Sequence, residues 1–312
     1  MQKVLRSKSN DDLVVIRPQD LGDYCIVAAH PDDETLWASS LLRNAKKVII
    51  CFSGSPESDE IACGRQRLQR DFPLHNARFF NINEPPLSGI PVKLSISKER
   101  RYGLQGHKQE REYRDAFFEI LRLLADELRD CQSVFTHSPW GEYGNVEHIQ
   151  VHKAVAETCS KYSLNLFCFG YFYCHTYSYM LEHLRSSPPL DCLELKTDQE
   201  IFSSLKKTYQ EYHCWTFSGR YLSPPREFFL LLQGRLPAAI RSQQPPSGIP
   251  CCLVREGLDS HVFSSAFRNV YSVRLVILVI FDRIRMSVFF RMRPIMLSLK
   301  RMIVRFKRSV PA

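Results

Sequence analysis

Between residues 24 and 173, short unbroken apolar runs that end at turns alternate with stretches whose apolar residues recur every three or four positions. Residues 24–29 (YCIVAA) have the character of a buried parallel strand, which stops where Pro31 disfavours helical geometry at His30. Residues 34–44 read as a helix with Leu36, Trp37, Ser40 and Leu41 on one face. A second strand follows at 47–52 (KVIICF), then a turn at 53–56, a helix over 57–70 and a strand at 77–82. Residues 83–106, rich in proline, glycine and serine, read as a long loop. A helix over 108–129 carries Phe117, Phe118, Leu121, Leu124 and Leu128 at helical spacing. The pattern closes with a strand at 133–136, a loop at 137–145, a helix over 147–159 and an apolar strand at 164–173 (LNLFCFGYFY).

Strands alternating with helices predict an α/β fold, a mostly parallel sheet with helices on both faces. In such sheets ligands bind beyond the carboxyl ends of the strands, where both the His30 segment and the 137–148 segment lie. No Gly-x-Gly-x-x-Gly follows the first strand, which argues against a nucleotide site. Residues 241–250 (RSQQPPSGIP) have linker composition, dividing the chain into a domain at 1–240, a linker at 241–263 and an extension at 264–312.

Charge separates the extension from the rest. The net charge is +9, yet residues 264–312 carry 11 Lys and Arg against Asp282 alone, so the body is close to neutral. The run at 275–281 (LVILVIF) is far short of the ~20 residues that span a bilayer. Beyond Pro294, Arg301, Arg305 and Arg308 share one helical face. This basic amphipathic extension suits docking on an anionic membrane surface, or packing on the body or a partner subunit. No nucleic acid is expected, because no recognised nucleic-acid fold accompanies the charge. The first 20 residues lack an apolar core, so a cytoplasmic location is expected, with peripheral attachment at the inner membrane face through the extension. The 11 cysteines form no C-x-x-C pair, which disfavours a zinc ribbon; they are expected to be reduced, with Cys25, Cys51 and Cys168 acting as small hydrophobes.

The chemistry concentrates in His30-Pro31-Asp32-Asp33-Glu34. An imidazole and a carboxylate three positions apart, on a turn stiffened by proline, can both face one ion. Zinc hydrolases use three protein ligands and leave a position for water, so a third ligand must come from elsewhere; His148, at the start of a later helix, is well placed. Water on such an ion ionises near neutral pH. Asp32, next to a ligand, is then available as general base. The bland alternative for His-Pro-Asp is a turn closed by an Asx hydrogen bond.

The run Ala29-His30-Pro31-Asp32-Asp33-Glu34 after an apolar strand resembles the signature of the PIG-L/LmbE-like deacetylases. That family includes N-acetylglucosaminyl-phosphatidylinositol de-N-acetylases and the deacetylases of mycothiol and bacillithiol synthesis. Its second motif, Tyr-Gly-His-x-Asp-His opening a helix, is similar to Tyr143-Gly144-Asn145-Val146-Glu147-His148. The resemblance covers roughly residues 22–215 and extends loosely to Lys206 and His213. It implies a Rossmann-like sheet and a zinc ion (or another divalent cation such as Fe2+) on His30, Asp33 and His148, with Asp32 as base. The implied reaction is hydrolysis of an N-acetyl group on an N-acetylated or lipid-linked sugar, in surface polysaccharide or glycolipid biosynthesis. Glu34 would support the metal loop and, with Tyr143, line the substrate site. The departure is Asn145 where the family has a histidine. Asparagine can donate to an oxyanion but cannot supply a proton. Either His137 or His152 takes over the acid role, or the chain is a catalytically altered or inactive glycan-binding scaffold. On spacing alone His152 is expected on the helix surface; His75, His107, His175, His183 and His261 are expected on surfaces or loops.

Overall fold

The structure is a computed structural model that describes residues 17–55, 58–89, 93–236, 240, 251–253 and 261–263. The chain runs β1 (Tyr24–Ala28), α1 (Asp33–Ala38), β2 (Lys47–Gly54), α2 (Asp59–Asp71), β3 (Ala77–Asn83), β4 (Glu99–Arg100), β5 (Gly103–Leu104), α3 (Glu110–Glu127) and β6 (Ser133–Thr136). It continues as α4 (Val146–Tyr162), β7 (Asn165–Phe169), β8 (Tyr171–Phe172), α5 (Tyr177–Ser186), β9 (Asp191–Lys196), α6 (Gln199–Glu211), β10 (Arg226–Gln233), β11 (Cys251–Leu253) and β12 (His261–Phe263).

β1 is buried along its whole length between two parallel partners, β2 and β6. The full order is β3-β2-β1-β6-β7-β10-β9, parallel from β3 to β7, with β10 antiparallel to both of its neighbours. Alternation along the strands divides the core between the two faces of the sheet. Tyr24 and Ile26 of β1 join Trp37 of α1, Leu68 of α2 and Phe202, Leu205 and Tyr209 of α6 on one face. Cys25 and Val27 join Phe117, Ile120 and Leu124 of α3 and Val151 and Val155 of α4 on the other. Strand order reverses on either side of β1, so the loops after β1 and β6 border one crevice.

Several expectations change. The helix expected over 34–44 ends at Ala38, because the amides and hydroxyls of Ser39 and Ser40 turn to the buried Glu227 carboxylate at 2.5–3.1 Å. The strand expected over 164–173 is broken at Gly170, whose amide donates to Phe228 O at 2.7 Å. A Cβ there would lie 2.7 Å from that oxygen, so only glycine lets β10 approach so closely. The loop expected over 83–106 contains the β4–β5 hairpin. The linker expected over 241–263 carries β11 and β12, with β11 parallel to β8; the linker-like composition ends at Pro250, ahead of these β-forming residues.

The expectation that all cysteines are reduced is corrected by a Cys25–Cys131 disulfide, with Cα atoms 6.4 Å apart. Its cause is sheet register: Tyr24 pairs with Ser133, which brings the turn before β6 alongside the start of β1. Cys51 keeps its thiol in the core, where burial pushes its pKa up. The extension at 264–312 lies outside the described residues, among which no helix is long and apolar enough to cross a membrane.

Glu99 ties the β4–β5 hairpin to two helices, through Lys153 Nζ (2.7 Å), Tyr179 OH (2.7 Å) and His183 Nε2 (2.8 Å). Burial alone would raise its pKa, but these partners hold it at about 2. The folded pKa lies below the unfolded value of about 4.3. Ionised Glu99 therefore stabilises the fold above that unfolded value, and the contribution fades as pH falls through about 2. Thermal melts followed by circular dichroism between pH about 5 and about 2 are expected to show a steeper loss of Tm in the wild type than in Glu99→Gln.

Candidate metal centre

His30 leaves the end of β1, and Asp32 starts the turn into α1 with φ 100. This left-handed conformation costs a non-glycine residue on the order of 1 kcal/mol or more. The surroundings hold it in place. Asp32 N–H donates to Glu34 Oε2 (3.2 Å), and its carbonyl accepts from Leu36 N (2.9 Å). Its carboxylate Oδ2 accepts from both the amide (2.7 Å) and the hydroxyl (2.9 Å) of Thr216. Asp33 Oδ2 accepts from the His30 amide (2.8 Å) and lies 3.1 Å from both His30 Nδ1 and His148 Nε2. Its other oxygen accepts from the Trp37 indole at 3.2 Å.

The second loop approaches from β6. Asn145 caps α4, its Oδ1 accepting from the amides of Glu147 (2.8 Å) and His148 (3.2 Å). The His148 ring is buried, with Nδ1 2.6 Å from Glu142 Oε2; His137 Nδ1 lies 2.9 Å from the same oxygen. The Ala29 amide donates to His137 Nε2 at 2.8 Å, so that nitrogen carries the lone pair and the His137 proton sits on Nδ1.

These contacts allow a test of whether a cation fits. With Nδ1 of His148 directed at a carboxylate, Nε2 is the atom left to coordinate, and it is buried with no well-directed hydrogen-bond partner. Ligand atoms of His30, Asp33 and His148 all lie within 4.8 Å of one another. A mixed nitrogen and oxygen set whose inner histidine is backed by a carboxylate fits a divalent ion. Without an ion, burial opposes charge on His148, but Asp33 and Glu142 raise its pKa to about 10. Burial likewise works against ionised Asp33, yet His148 and His137 hold it well below the usual carboxylate range. A cation entering this site displaces a proton, so affinity should rise with pH. Asp32 behaves oppositely: burial, then the charge of Asp33, pushes its pKa well up against the opposing Thr216 hydrogen bonds.

Residues 25–159 match the family PIG-L, described as GlcNAc-PI de-N-acetylase. This stretch is similar to a PIG-L domain. A search of curated proteins finds no match. Among solved structures, a deacetylase–bog complex from the teicoplanin biosynthesis pathway is similar at 14% identity and TM-score 0.40, covering 67% of this chain and 97% of that one. The zinc-inhibited form of the teicoplanin deacetylase Orf2 is similar at 13% identity and TM-score 0.40, over the same 67% and 97%. The A40926 pseudoaglycone deacetylase Dbv21 is similar at 12% identity and TM-score 0.38, covering 69% and 100%.

His30, Asp33 and His148 meet at one point, while the adjacent Asp32 turns its carboxylate to Thr216. Tyr143 is partly exposed at its edge, with its ring 5.2 Å from that of His148 and its hydroxyl accepting from Asn145 Nδ2 at 3.3 Å. Asn145 spends its oxygen on the helix cap. His137, expected as an acid, is fully buried with both ring nitrogens engaged, and burial with the neighbouring His148 lowers its pKa; it has no nitrogen to offer a substrate. Glu34, expected to line the substrate site, is also fully buried. Its Oε1 accepts from Thr35 Oγ1 (2.6 Å) and Tyr209 OH (2.7 Å), and Oε2 accepts from the Asp32 amide. His152 is buried rather than on the surface, because Nδ1 bonds the His137 carbonyl at 2.7 Å. His183, expected on a surface, instead holds Glu99. Lys206 donates to the carbonyls of Gly219 (2.9 Å) and Tyr221 (2.7 Å), folding the loop that carries Thr216, while His213 is exposed with φ 56.

Sequence reasoning missed Glu142, Thr216, Trp37 and the Arg65–Glu84 pair, whose carboxylate lies 3.5 Å from His30 Nε2. Glu142 had a weak signal as an acid inside the second motif; Thr216 had none. Because the Tyr209 hydroxyl supports the carboxylate that steers Asp32, Tyr209→Phe is expected to lower the unfolding free energy by about 1–3 kcal/mol in urea denaturation.

Proposed function

We propose that the PIG-L-like domain removes the N-acetyl group from an N-acetylated sugar or glycoconjugate, yielding a free amine and acetate, with zinc held by His30, Asp33 and His148. The observation that carries this reading is the buried His148 Nε2, which has no well-directed hydrogen bond and lies with ligand atoms of His30 and Asp33 within 4.8 Å, leaving the adjacent Asp32 outside the set. When bound, the ion supplies Lewis acidity toward the amide carbonyl and toward water. Fe2+ accepts the same donor set.

Asp32 is the proton carrier. Thr216 occupies its Oδ2, and among the described residues no donor occupies Oδ1. A carboxyl group with raised proton affinity accepts a proton from attacking water readily and passes it on to the departing amine. The sealed His137 leaves Asp32 to serve both steps. At the edge of the site, Asn145 Nδ2 donates to the Tyr143 hydroxyl, which frees that hydroxyl's own proton for the charge developing on the acetyl oxygen.

An amine-release screen over N-acetylated sugars, nucleotide sugars and lipid-linked sugars tests this reading. Activity should vanish with a chelator and return with zinc. Asp32→Asn should keep one metal per chain and lose about 10²–10⁴-fold in turnover. Thr216→Val should lose about 3- to 10-fold, since one of two hydrogen bonds orienting the base is removed. A chain that binds stoichiometric zinc and releases amine from none of these compounds would be a glycan-binding scaffold instead.

A further inference from the structure

Glu142 is a fully buried carboxylate that the proposed chemistry does not use. Its backbone sits at φ 50, and Gly141 before it sits at φ 65, where a Cβ would strike the Asn145 carbonyl. The bend is held from both sides: the Glu142 amide donates to Ser138 Oγ (3.0 Å), and its carbonyl accepts from Thr176 Oγ1 (2.8 Å) and Tyr173 N (3.2 Å). Left-handed backbone is retained where the surroundings over-determine it, commonly at functional sites. Here it delivers one charged group beneath two imidazoles. Oε1 accepts from the Ser138 amide at 2.7 Å, and Oε2 faces Nδ1 of both His137 and His148.

We propose that Glu142 is a positioning residue for the metal centre, acting on two ligands at once. Toward His148 it keeps the proton on Nδ1, so that Nε2 faces the ion. Toward His30 it acts through His137, whose Nε2 accepts the amide of Ala29, the residue immediately before His30. The chain from Ala29 N–H through His137 and Glu142 to His148 therefore crosses the same gap that an ion bridges between His30 and His148. Two ligand loops distant in sequence are set to ligand separation before the ion arrives, which lowers the ordering cost of binding. The inference rests on the proposed metal site, and it gives His137 a structural task in place of acid catalysis.

The carboxylate is specifically required. In Glu142→Gln, an amide oxygen facing the histidines would leave its NH2 against the Ser138 N–H, donor to donor. The opposite orientation would set the NH2 against two imidazole donors.

The experiment is a Zn2+ titration of the metal-free full chain, by competition with a chromophoric chelator, alongside thermal melts of the metal-free proteins. Wild type should bind one ion. Glu142→Gln should bind it 10- to 100-fold more weakly, the range seen when a carboxylate behind a ligating histidine is lost. His137→Leu, which cuts the tie to Ala29, should bind several-fold more weakly and answers the question if Glu142→Gln does not fold. The double variant should be no weaker than Glu142→Gln alone, since both changes break one chain; a purely structural role would lower Tm and leave the dissociation constant unchanged. Equal dissociation constants for wild type and Glu142→Gln would overturn the role of Glu142 and leave the metal site standing. A wild-type chain that binds no zinc would overturn both.

Discussion

The site is governed by the cost of burying carboxylates. Asp33 and Glu142 are each withdrawn from water at the head of the sheet, where an unmatched charge would cost several kcal/mol. Each is matched by imidazole: Asp33 by His30 and His148, Glu142 by His137 and His148. His148 is shared, so its two nitrogens join the two acids. In the metal-free protein the balance is kept by protons, which explains why His148 is raised while Asp33 is lowered. A divalent ion would supply the same compensation with more charge, and His30, Asp33 and His148, with ligand atoms within 4.8 Å of one another, already approximate a ligand set.

The cost of burial explains the unusual backbone around the site. Burying Asp33 while turning Asp32 the other way needs adjacent carboxylates to diverge, and the left-handed φ at Asp32 achieves this within one residue. Glu34 holds the turn from below through the Asp32 amide, and Thr216 holds it from outside through the carboxylate. Neighbouring acids thus reach opposite electrostatic fates: imidazoles hold Asp33 low, and Asp32, buried beside the charge of Asp33, gains proton affinity against the Thr216 hydrogen bonds and the Arg65 charge. Paired carboxyl groups whose surroundings separate their proton affinities are a recurring way of dividing binding from proton transfer.

The parts of this arrangement that were legible in the sequence are those encoded locally. The apolar run of β1, the proline after His30 and the helical spacing in α3 each report on a window of a few residues, and the His30–Glu34 turn does follow β1. What was not legible depends on chain segments far apart in sequence. Ser39 and Ser40 look like ordinary helix continuation until Glu227 claims their four donors. Cys25 looks like a core hydrophobe until the register with β6 brings Cys131 beside it. Thr216 carries no local mark of its role, because its importance lies in a contact across 184 residues. His137 was visible as a loop histidine, but only the Ala29 amide on its Nε2 shows that it cannot exchange protons with a substrate.

Asn145 shows how a local rule and a chemical one compete for the same side chain. Its position is the N-cap of α4, and the amide of the ligand His148 is one of the two that it satisfies. Asparagine is among the strongest N-cap residues because its short carbonyl reaches the second and third amides; histidine offers only ring nitrogens at a greater distance. A histidine here would bring a titratable group to the rim of the site and give up part of the cap that fixes His148. Asparagine keeps the cap and directs an N–H of its amide at Tyr143. With both ring nitrogens of His137 engaged, Asp32 is the neighbouring group whose proton affinity burial raises. One side chain thus serves both the cap of α4 and the contact with Tyr143, and the two amides its oxygen accepts fix where His148 stands.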